Sequence, residues 1–243
     1  MSEKDLTFWE HLDVLRGSMI RCLVAVFACG IVAFALKEPL FRFILRPQMT
    51  EGIPLINTGL AQQFIVHMKT ALAVGALVAS PYILYELMRF VSPALYANER
   101  RAALPALGAG YVLFLAGMAL SYLLIFPLTV RFLGTYQVQE DVTNLISLDS
   151  YISTLLILCL MMGVLFELPV VSWLLARLGL LESAHMRKYR RHAIVAIMII
   201  AAVITPTGDV FTLSLVTLPI YLLYEVSIAV VRAVERRKKS EKA

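Results

Sequence analysis

Long apolar runs without charged residues dominate the pattern along the chain. They occupy residues 22–36, 70–85, 102–130, 150–166, 193–208 and 210–224. A bilayer core of about 30 Å needs roughly 20 apolar residues in a helix, and an open strand edge cannot be satisfied in hydrocarbon. Several runs continue past a single polar residue, so the pattern predicts an all-α integral membrane protein with six spanning helices. Their predicted bounds are 18–37, 65–88, 104–126, 150–176, 191–205 and 210–231.

The flanks of these runs predict the remaining organisation of a single membrane domain, 1–243. A cytoplasmic amphipathic segment (1–17) precedes the six-helix bundle (18–231), and a basic cytoplasmic tail (232–243) follows it. The fifth span has about 12 strongly apolar residues, or roughly 18 Å of helix, so it must thin the bilayer or pack against longer neighbours. We expect a tight hairpin over 193–231, and short surface helices or a cap in the outer loops.

Basic residues predict the orientation of the chain. Of the 22 lysines and arginines, 17 fall on the side that holds the N-terminus, the loops 89–103 and 177–191, and the tail. Five fall on the opposite side. Cytoplasmic loops carry the excess of Lys and Arg, so both termini are predicted to lie in the cytoplasm.

Composition excludes most other classes of protein. The 243 residues are 60% hydrophobic and 16% charged, whereas soluble domains average about 45–50% and about 25%. The net charge of +5 follows from topology, so no nucleic-acid partner is expected. The cysteines lie inside apolar runs, the histidines are scattered, and the usual hydrolase and phosphate-loop motifs are absent. No enzyme activity, cofactor or metal site is therefore expected.

The segment 8–16 is predicted to form an amphipathic helix. Phe8, Leu12 and Leu15 share one face at helical spacing, and acidic residues and a histidine lie elsewhere. One interpretation is an interfacial anchor with Trp9 at the level of the headgroups. The other is an acidic surface that receives a cationic partner.

Three acidic residues near or inside the spans are candidates for function. Glu99 lies in the first cytoplasmic loop, where it either pairs with a neighbouring arginine or binds a partner. Glu167 lies deep in the fourth span, and an intramembrane carboxyl is a functional candidate by default. Its alternative is a protonated side chain hydrogen-bonded to a neighbouring helix. Glu225 is expected to be structural, reaching the interface or pairing with Arg232.

Seven short motifs in a fixed order resemble the TatC family, the multispanning subunit of the twin-arginine protein translocase. They are HLDVLR at 11–16, SPYILY at 80–85, FVSPALY with ER at 90–100, FPL at 126–128, FELP at 166–169, TP with D at 205–209 and PIYLLYE at 219–225. The resemblance covers nearly the whole chain.

The resemblance implies a receptor in the cell inner membrane that binds signal peptides carrying an arginine pair. It then recruits single-span TatB- and TatA-type partners, works in several copies, and exports folded proteins using the proton-motive force. The implied fold is a concave, glove-like bundle that exposes Glu167. Implied signal-binding residues are Glu99, Glu10, Asp13, Arg16, Leu12, Phe90 and Tyr96. Implied intramembrane polar or partner contacts are Glu167, Asp209, Thr205, Pro206 and Glu225.

Two positions depart from the family pattern. The acid of the N-terminal box usually falls where this chain has Val14, so Glu10, helped by Asp13, is expected to replace it. A glutamine of some members is replaced by Leu213. The competing interpretations are a cation-coupled small-molecule transporter that uses Glu167 as the coupling carboxylate and a structural scaffold without a ligand. The scaffold leaves the acids of the N-terminal box unexplained.

Overall fold

The computed structural model describes residues 8–46, 54–91, 97–136, 139, 145–205 and 207–242, with the backbone alone for 8, 10, 11, 91, 97–104 and 239–242. The first span belongs to helix α1, Phe8–Ala35. The predicted N-terminal helix is therefore the first turns of the same continuous helix. Helix α2, Lys37–Ile44, follows directly as one of the surface helices expected in the outer loops.

Helices dominate the described chain and confirm the helical class. They are α3 (Gln62–Val91), α4 (Ala97–Leu120), a π-helical turn (Ser121–Ile125), α5 (Phe126–Thr135), α6 (Leu148–Leu165), α7 (Leu168–Arg177), α8 (Ser183–Lys188), α9 (Arg190–Ile204) and α10 (Val210–Lys242). Among the described residues, five helical stretches are long and apolar enough to cross a membrane. They are Leu12–Ala35, Gln62–Phe90, Pro105–Thr135, Leu148–Arg177 and Val210–Lys238.

The predicted fifth span coincides with α9, which has 15 residues. That length is below the roughly 17–25 residues of an ordinary spanning helix. A multi-pass membrane protein is established by the other five stretches, and the crossing of α9 stays a prediction.

The third and fourth spans are each built from more than one helix. The third was expected to end at 126, but α5 continues to Thr135. Pro127 lies in the first turn of α5, where a missing N–H costs no hydrogen bond. The fourth span breaks between α6 and α7 at Phe166 and Glu167, and Pro169 is the second residue of α7.

The two outer loops are joined by a short parallel strand pair that an all-α prediction did not include. Strand β1, Leu55–Ile56, pairs with β2, Ile146–Ser147. On the same side, Lys69 Nζ forms a 2.8 Å ion pair with Asp149 Oδ1. The start of α3 is thereby tied to the start of α6.

Close packing holds α1 against α3. A Cβ built on Gly75 of α3 would lie 2.6 Å from the backbone nitrogen of Gly30 in α1, so the two backbones meet through small residues, as is common between helices in membranes. A separate buried core joins α3, α5, α6 and α10 through Val66, Phe126, Ile152 and Ile220.

The end of α10 packs against the α7–α8 segment. Val231 and Val234 are buried with Ala176 and Met186. The helix therefore continues through the basic tail that was predicted from residue 232, and its last turns have a packed side.

Candidate functional site

A saturated carboxylate joins α1 to α3 near one end of both helices. Glu86 is 1% exposed. Its Oε2 accepts hydrogen bonds from Ser18 Oγ at 3.0 Å and Arg21 Nη2 at 2.8 Å. Its Oε1 accepts from Arg21 Nε and Tyr82 Oη, both at 3.0 Å, with Arg89 Nη1 at 3.6 Å. The Arg21 guanidinium binds both oxygens, which is the strong, geometrically specific form of an ion pair.

Sequence reasoning missed this cluster. The apolar run of the second span ends at Tyr85, and Glu86 was not considered as a partner for Arg21, the charged residue that interrupts the first span. The sequence signal that could have revealed the pair was the position of each residue inside its predicted span. Each lies two or three residues inside the end of its predicted span, 18–37 or 65–88, and antiparallel neighbours place such residues side by side.

The N-terminal box lies on α1, before the cluster. Leu12, Asp13 and Arg16 are exposed, and Arg16 is five residues from Arg21, or about 7.5 Å along the helix. The backbone of Glu10 is helical, and its side chain lies outside the described part of the chain. The structure thus gives the box a rigid helical frame anchored to α3.

The other predicted signal-binding residues lie in the last turn of α3 or after it. Phe90 is half-buried in the last turn of that helix, and Glu99 lies in the first turn of α4. Tyr96 and the side chain of Glu99 lie outside the description. Since α1 and α3 pack together, the box and the segment after α3 emerge from the same end of one helix pair.

Glu167 has a different environment at the break between α6 and α7. Its carbonyl accepts the backbone N–H groups of Val170 and Val171 at 3.0 and 2.9 Å, which starts α7. Its side chain points to α4, where a Cβ built on Gly110 would lie 2.8 Å from Oε2. Oε1 is buried and has no hydrogen-bond partner among the described residues.

The Glu167 carboxylate lines a cavity of about 50 Å³ between three helices. Apolar side chains form the rest of its wall. They include Leu84, Leu87 and Met88 of α3, Leu107 of α4, and Val171 and Leu174 of α7. A buried polar atom without a hydrogen-bond partner costs folding free energy. This cost favours a role in which the Glu167 carboxylate interacts with a group that is not part of the folded chain.

The predicted polar contacts at the α9–α10 turn have internal partners. Thr205 is buried and donates its hydroxyl to the Ala201 carbonyl at 2.9 Å. Asp209 caps α10, because Oδ1 accepts the Thr212 N–H at 2.7 Å and Oδ2 accepts the Thr207 hydroxyl at 2.6 Å. Burial would raise the pKa of Asp209, but these hydrogen bonds outweigh it and hold the pKa below its ordinary value.

The turn also needs a left-handed residue, and Gly208 has a φ of +60°. Pro206 lies outside the described residues. The hydrogen bonds of Thr205 and Asp209 stabilise the hairpin between α9 and α10. This agrees with the expected tight turn.

Glu225 has a structural role, as expected, but the alternative that paired it with Arg232 was wrong. Glu225 Oε2 accepts a 2.7 Å bond from Arg190 Nη2, and Oε1 accepts one from Tyr221 Oη at 3.2 Å. Arg190 begins α9, so the pair ties the two arms of the hairpin together. Arg232 was considered because it is close in sequence, whereas the structure places Arg190, 35 positions away, beside Glu225.

Comparisons with known proteins agree with this architecture. The family model for Sec-independent protein translocase protein (TatC) matches residues 10–219. The chain is 35% identical over 233 residues to the TatC of Aquifex aeolicus (strain VF5), covering 95% of this chain and 96% of the relative. It is 32% identical over 243 residues to the TatCy of Bacillus subtilis (strain 168), covering 100% and 95%. A crystal structure of the twin-arginine translocase receptor TatC aligns with a TM-score of 0.83 and 34% identity, covering 93% of this chain and all of that one.

Proposed function

The chain belongs to the TatC family of Sec-independent protein translocase proteins, and we propose that the shared end of α1 and α3 is where it receives twin-arginine signal peptides. It is a receptor subunit of the translocase and not an enzyme. A small-molecule transporter has no support from the relatives.

The observation that carries the site is the clamp between Arg21 and Glu86. It fixes α1 against α3 just inside the end at which the N-terminal box and the first cytoplasmic loop emerge. The two elements are thereby presented together rather than on independent segments. Carboxylates suit this task, because a guanidinium prefers planar acceptors that bind two of its N–H groups.

Glu99 and the acids of α1 are the proposed acceptors for the arginine pair. Glu10 lies one turn before Val14 on α1, and residues four apart share a helix face. The continuous helix through these positions supports replacement of the usual box acid by Glu10. Asp13 is exposed and assists from the adjacent face. Leu12, Arg16, Phe90 and Tyr96 complete the proposed surface.

The proposed topology places both termini in the cytoplasm of a six-span, glove-shaped bundle in the inner membrane. The excess of basic residues on that side supports it. The short helix α9 supports a local depression in the membrane, and its Val203 is 80% exposed. The chain is proposed to work in several copies and to use the proton-motive force.

Single-span TatB- and TatA-type partners are proposed to dock in the membrane against α9, α10 and the Glu167 region. A mostly apolar cavity of about 340 Å³ lies between α9 and α10, which supports docking of a partner helix. Its lining includes Ile197, Met198, Leu213, Ser214 and Thr217. Thr205, Asp209 and Glu225 border this region through the hairpin that they help to form, and Pro206 is proposed as a contact from the sequence alone.

Site-specific photocrosslinking tests the signal site. A photoreactive residue placed at Asp13 or Ala97 is expected to crosslink a twin-arginine precursor and not the same precursor with a Lys-Lys pair. Ile31 is a matched control on α1, since it is 71% exposed within the apolar part of the helix. Crosslinking of both precursors alike, or from Ile31 as strongly as from Asp13, would refute the proposed site.

A further inference from the structure

A turn directly before α3 presents a leucine that no other part of the described chain covers. Leu60 is fully exposed, more than any other large apolar side chain among the described residues. Phe64, one helical turn later, is 59% exposed. A single exposed apolar residue is common on protein surfaces. The order of this turn and the apolar surface that continues from it set Leu60 apart.

Hydrogen bonds to one side chain order the turn. Gln62 Oε1 accepts the backbone N–H groups of Thr58 and Gly59 at 2.5 and 3.1 Å. It also accepts the Thr58 hydroxyl at 3.1 Å. The Gln62 N–H in turn donates to the Gly59 carbonyl at 3.2 Å. Leu60 therefore lies between residues whose positions are fixed, directly before the first residue of α3.

The surface of α1 and α3 next to the turn is apolar. A groove of about 390 Å³ lies between the two helices, and its apolar lining includes Ile31, Phe34, Met68 and Leu72. Lys69 also lines the groove, but its ammonium is paired with Asp149. The rings of Phe34 and Phe64 are in contact, with 6.3 Å between their centroids. Both helices belong to the apolar stretches that are long enough to cross the membrane, so hydrocarbon meets this surface.

The length of α3 places the turn at a membrane boundary. Leu60 precedes Glu86 by 26 residues, or about 39 Å along a helix and about 37 Å across the membrane at the average tilt of about 20°. The hydrocarbon core is about 30 Å thick, and about 40–45 Å with the headgroup regions. Because the Glu86 cluster lies near one boundary of the core, the turn lies in the headgroup region of the opposite leaflet.

We propose that the turn 58–62 anchors the start of α3 in this headgroup region, with Leu60 inserted toward the acyl chains. Two observations favour lipid as the occupant. Leu60 continues, through Phe64, the apolar surface that meets hydrocarbon in the α1–α3 groove. The turn also satisfies polar groups of its own through Gln62, so these groups are not left unpaired when water is displaced. Apolar side chains inserted at the boundary between headgroups and acyl chains hold peripheral helices in the same way.

Depth-dependent fluorescence quenching tests the proposal. The chain has two tryptophans, so Trp9→Phe with Trp173→Phe gives a background in which Leu60→Trp is the reporter. The protein is reconstituted in phosphatidylcholine vesicles that carry bromine near either the carbonyl end or the methyl end of the acyl chains. The emission of Leu60→Trp is expected to be blue-shifted and to lose more intensity to bromine near the carbonyl end.

Two further positions calibrate the measurement. Ile31→Trp reports from the groove, where Ile31 is 71% exposed, and it should lose more intensity to bromine near the methyl end. Asn57→Trp is the matched control in the same loop, because Asn57 is exposed and polar. It should be quenched by iodide in the water and little by either lipid. The control is needed because tryptophan itself favours the membrane interface.

Three results would overturn the proposal. Quenching of Leu60→Trp by iodide and by neither lipid would place the turn in water. Protection of Leu60→Trp from iodide and from both lipids would mean that a protein surface, such as a second copy or a partner, covers it. Equal lipid quenching of Asn57→Trp and Leu60→Trp would mean that the introduced ring, and not Leu60, selects the membrane. Matching size-exclusion profiles confirm that each variant reports on a folded chain.

Discussion

Two carboxylates inside apolar spans, Glu86 and Glu167, have opposite environments. Glu86 accepts four hydrogen bonds from Ser18, Arg21 and Tyr82. Glu167 has one buried oxygen without a partner among the described residues, and its other oxygen faces the space left by Gly110.

The difference separates a structural role from a functional one. A buried charge that is fully paired fixes the helices that supply its partners, and removal of one partner is strongly destabilising. An unsatisfied carboxyl adds little to the stability of the resting fold, so its retention needs another cause. We propose that Glu86 belongs to the frame of the receptor and that Glu167 serves a step that involves a partner helix or a proton.

The largest stability effect is expected from Arg21→Leu. This change leaves Glu86, whose side chain is 2% exposed, as a buried charge without its guanidinium, at a cost of about 3–5 kcal/mol. Glu86→Leu should cost less, because the side chain of Arg21 is 44% exposed and regains water. Denaturant unfolding of the purified protein in detergent measures both.

The double variant of the same pair provides the control. Arg21→Leu with Glu86→Leu should recover much of the stability, because no unpaired charge remains. Strictly additive losses would show that the two side chains do not depend on each other, and the assignment of Glu86 to the frame would be wrong.

The next effect concerns recognition rather than stability. Glu99→Arg is expected to block export of native precursors while the protein still inserts and accumulates. Reversal of one partner in a partly desolvated pair costs about 3 kcal/mol or more, or at least a hundredfold in precursor affinity. Normal affinity and export in this variant would place the docking site elsewhere.

A smaller effect is expected from Gly110→Ala. The new Cβ would lie 2.8 Å from Glu167 Oε2, so the carboxylate must rotate away, at a cost of about 1 kcal/mol because the obstructing atom ends a flexible side chain. Combining it with Glu167→Ala should restore stability, because the obstructing group is gone. Gly108→Ala is the matched control, since nothing lies within 4 Å of a Cβ built there. An equal loss at both glycines would mean that helix α4, and not Glu167, responds.

The sequence predicted the long spans because a bilayer requires each spanning helix to be a long run of apolar residues. It also singled out Glu167, which interrupts an apolar run alone. It missed the pairing of Glu86 with Arg21 and did not consider Arg190 as a partner of Glu225. These arginines lie 65 and 35 positions away, and pairing between helices depends on packing that spacing does not encode. The β1–β2 pair has two residues in each strand, too few for any alternating pattern.

The smallest stability effect is expected at Glu167. The sharpest test of the comparison is to make the same substitution at both carboxylates. Glu167→Gln should change the unfolding free energy by less than about 1 kcal/mol, because it breaks no ion pair among the described residues. It should still reduce transport while precursor crosslinking at the loops stays intact. Glu86→Gln should do the reverse and lower stability first, because the amide loses the charge that Arg21 binds at 2.8 Å. Transport assays beside crosslinking and unfolding distinguish the two patterns, and equal loss of crosslinking and transport in Glu167→Gln would make Glu167 a second structural carboxylate.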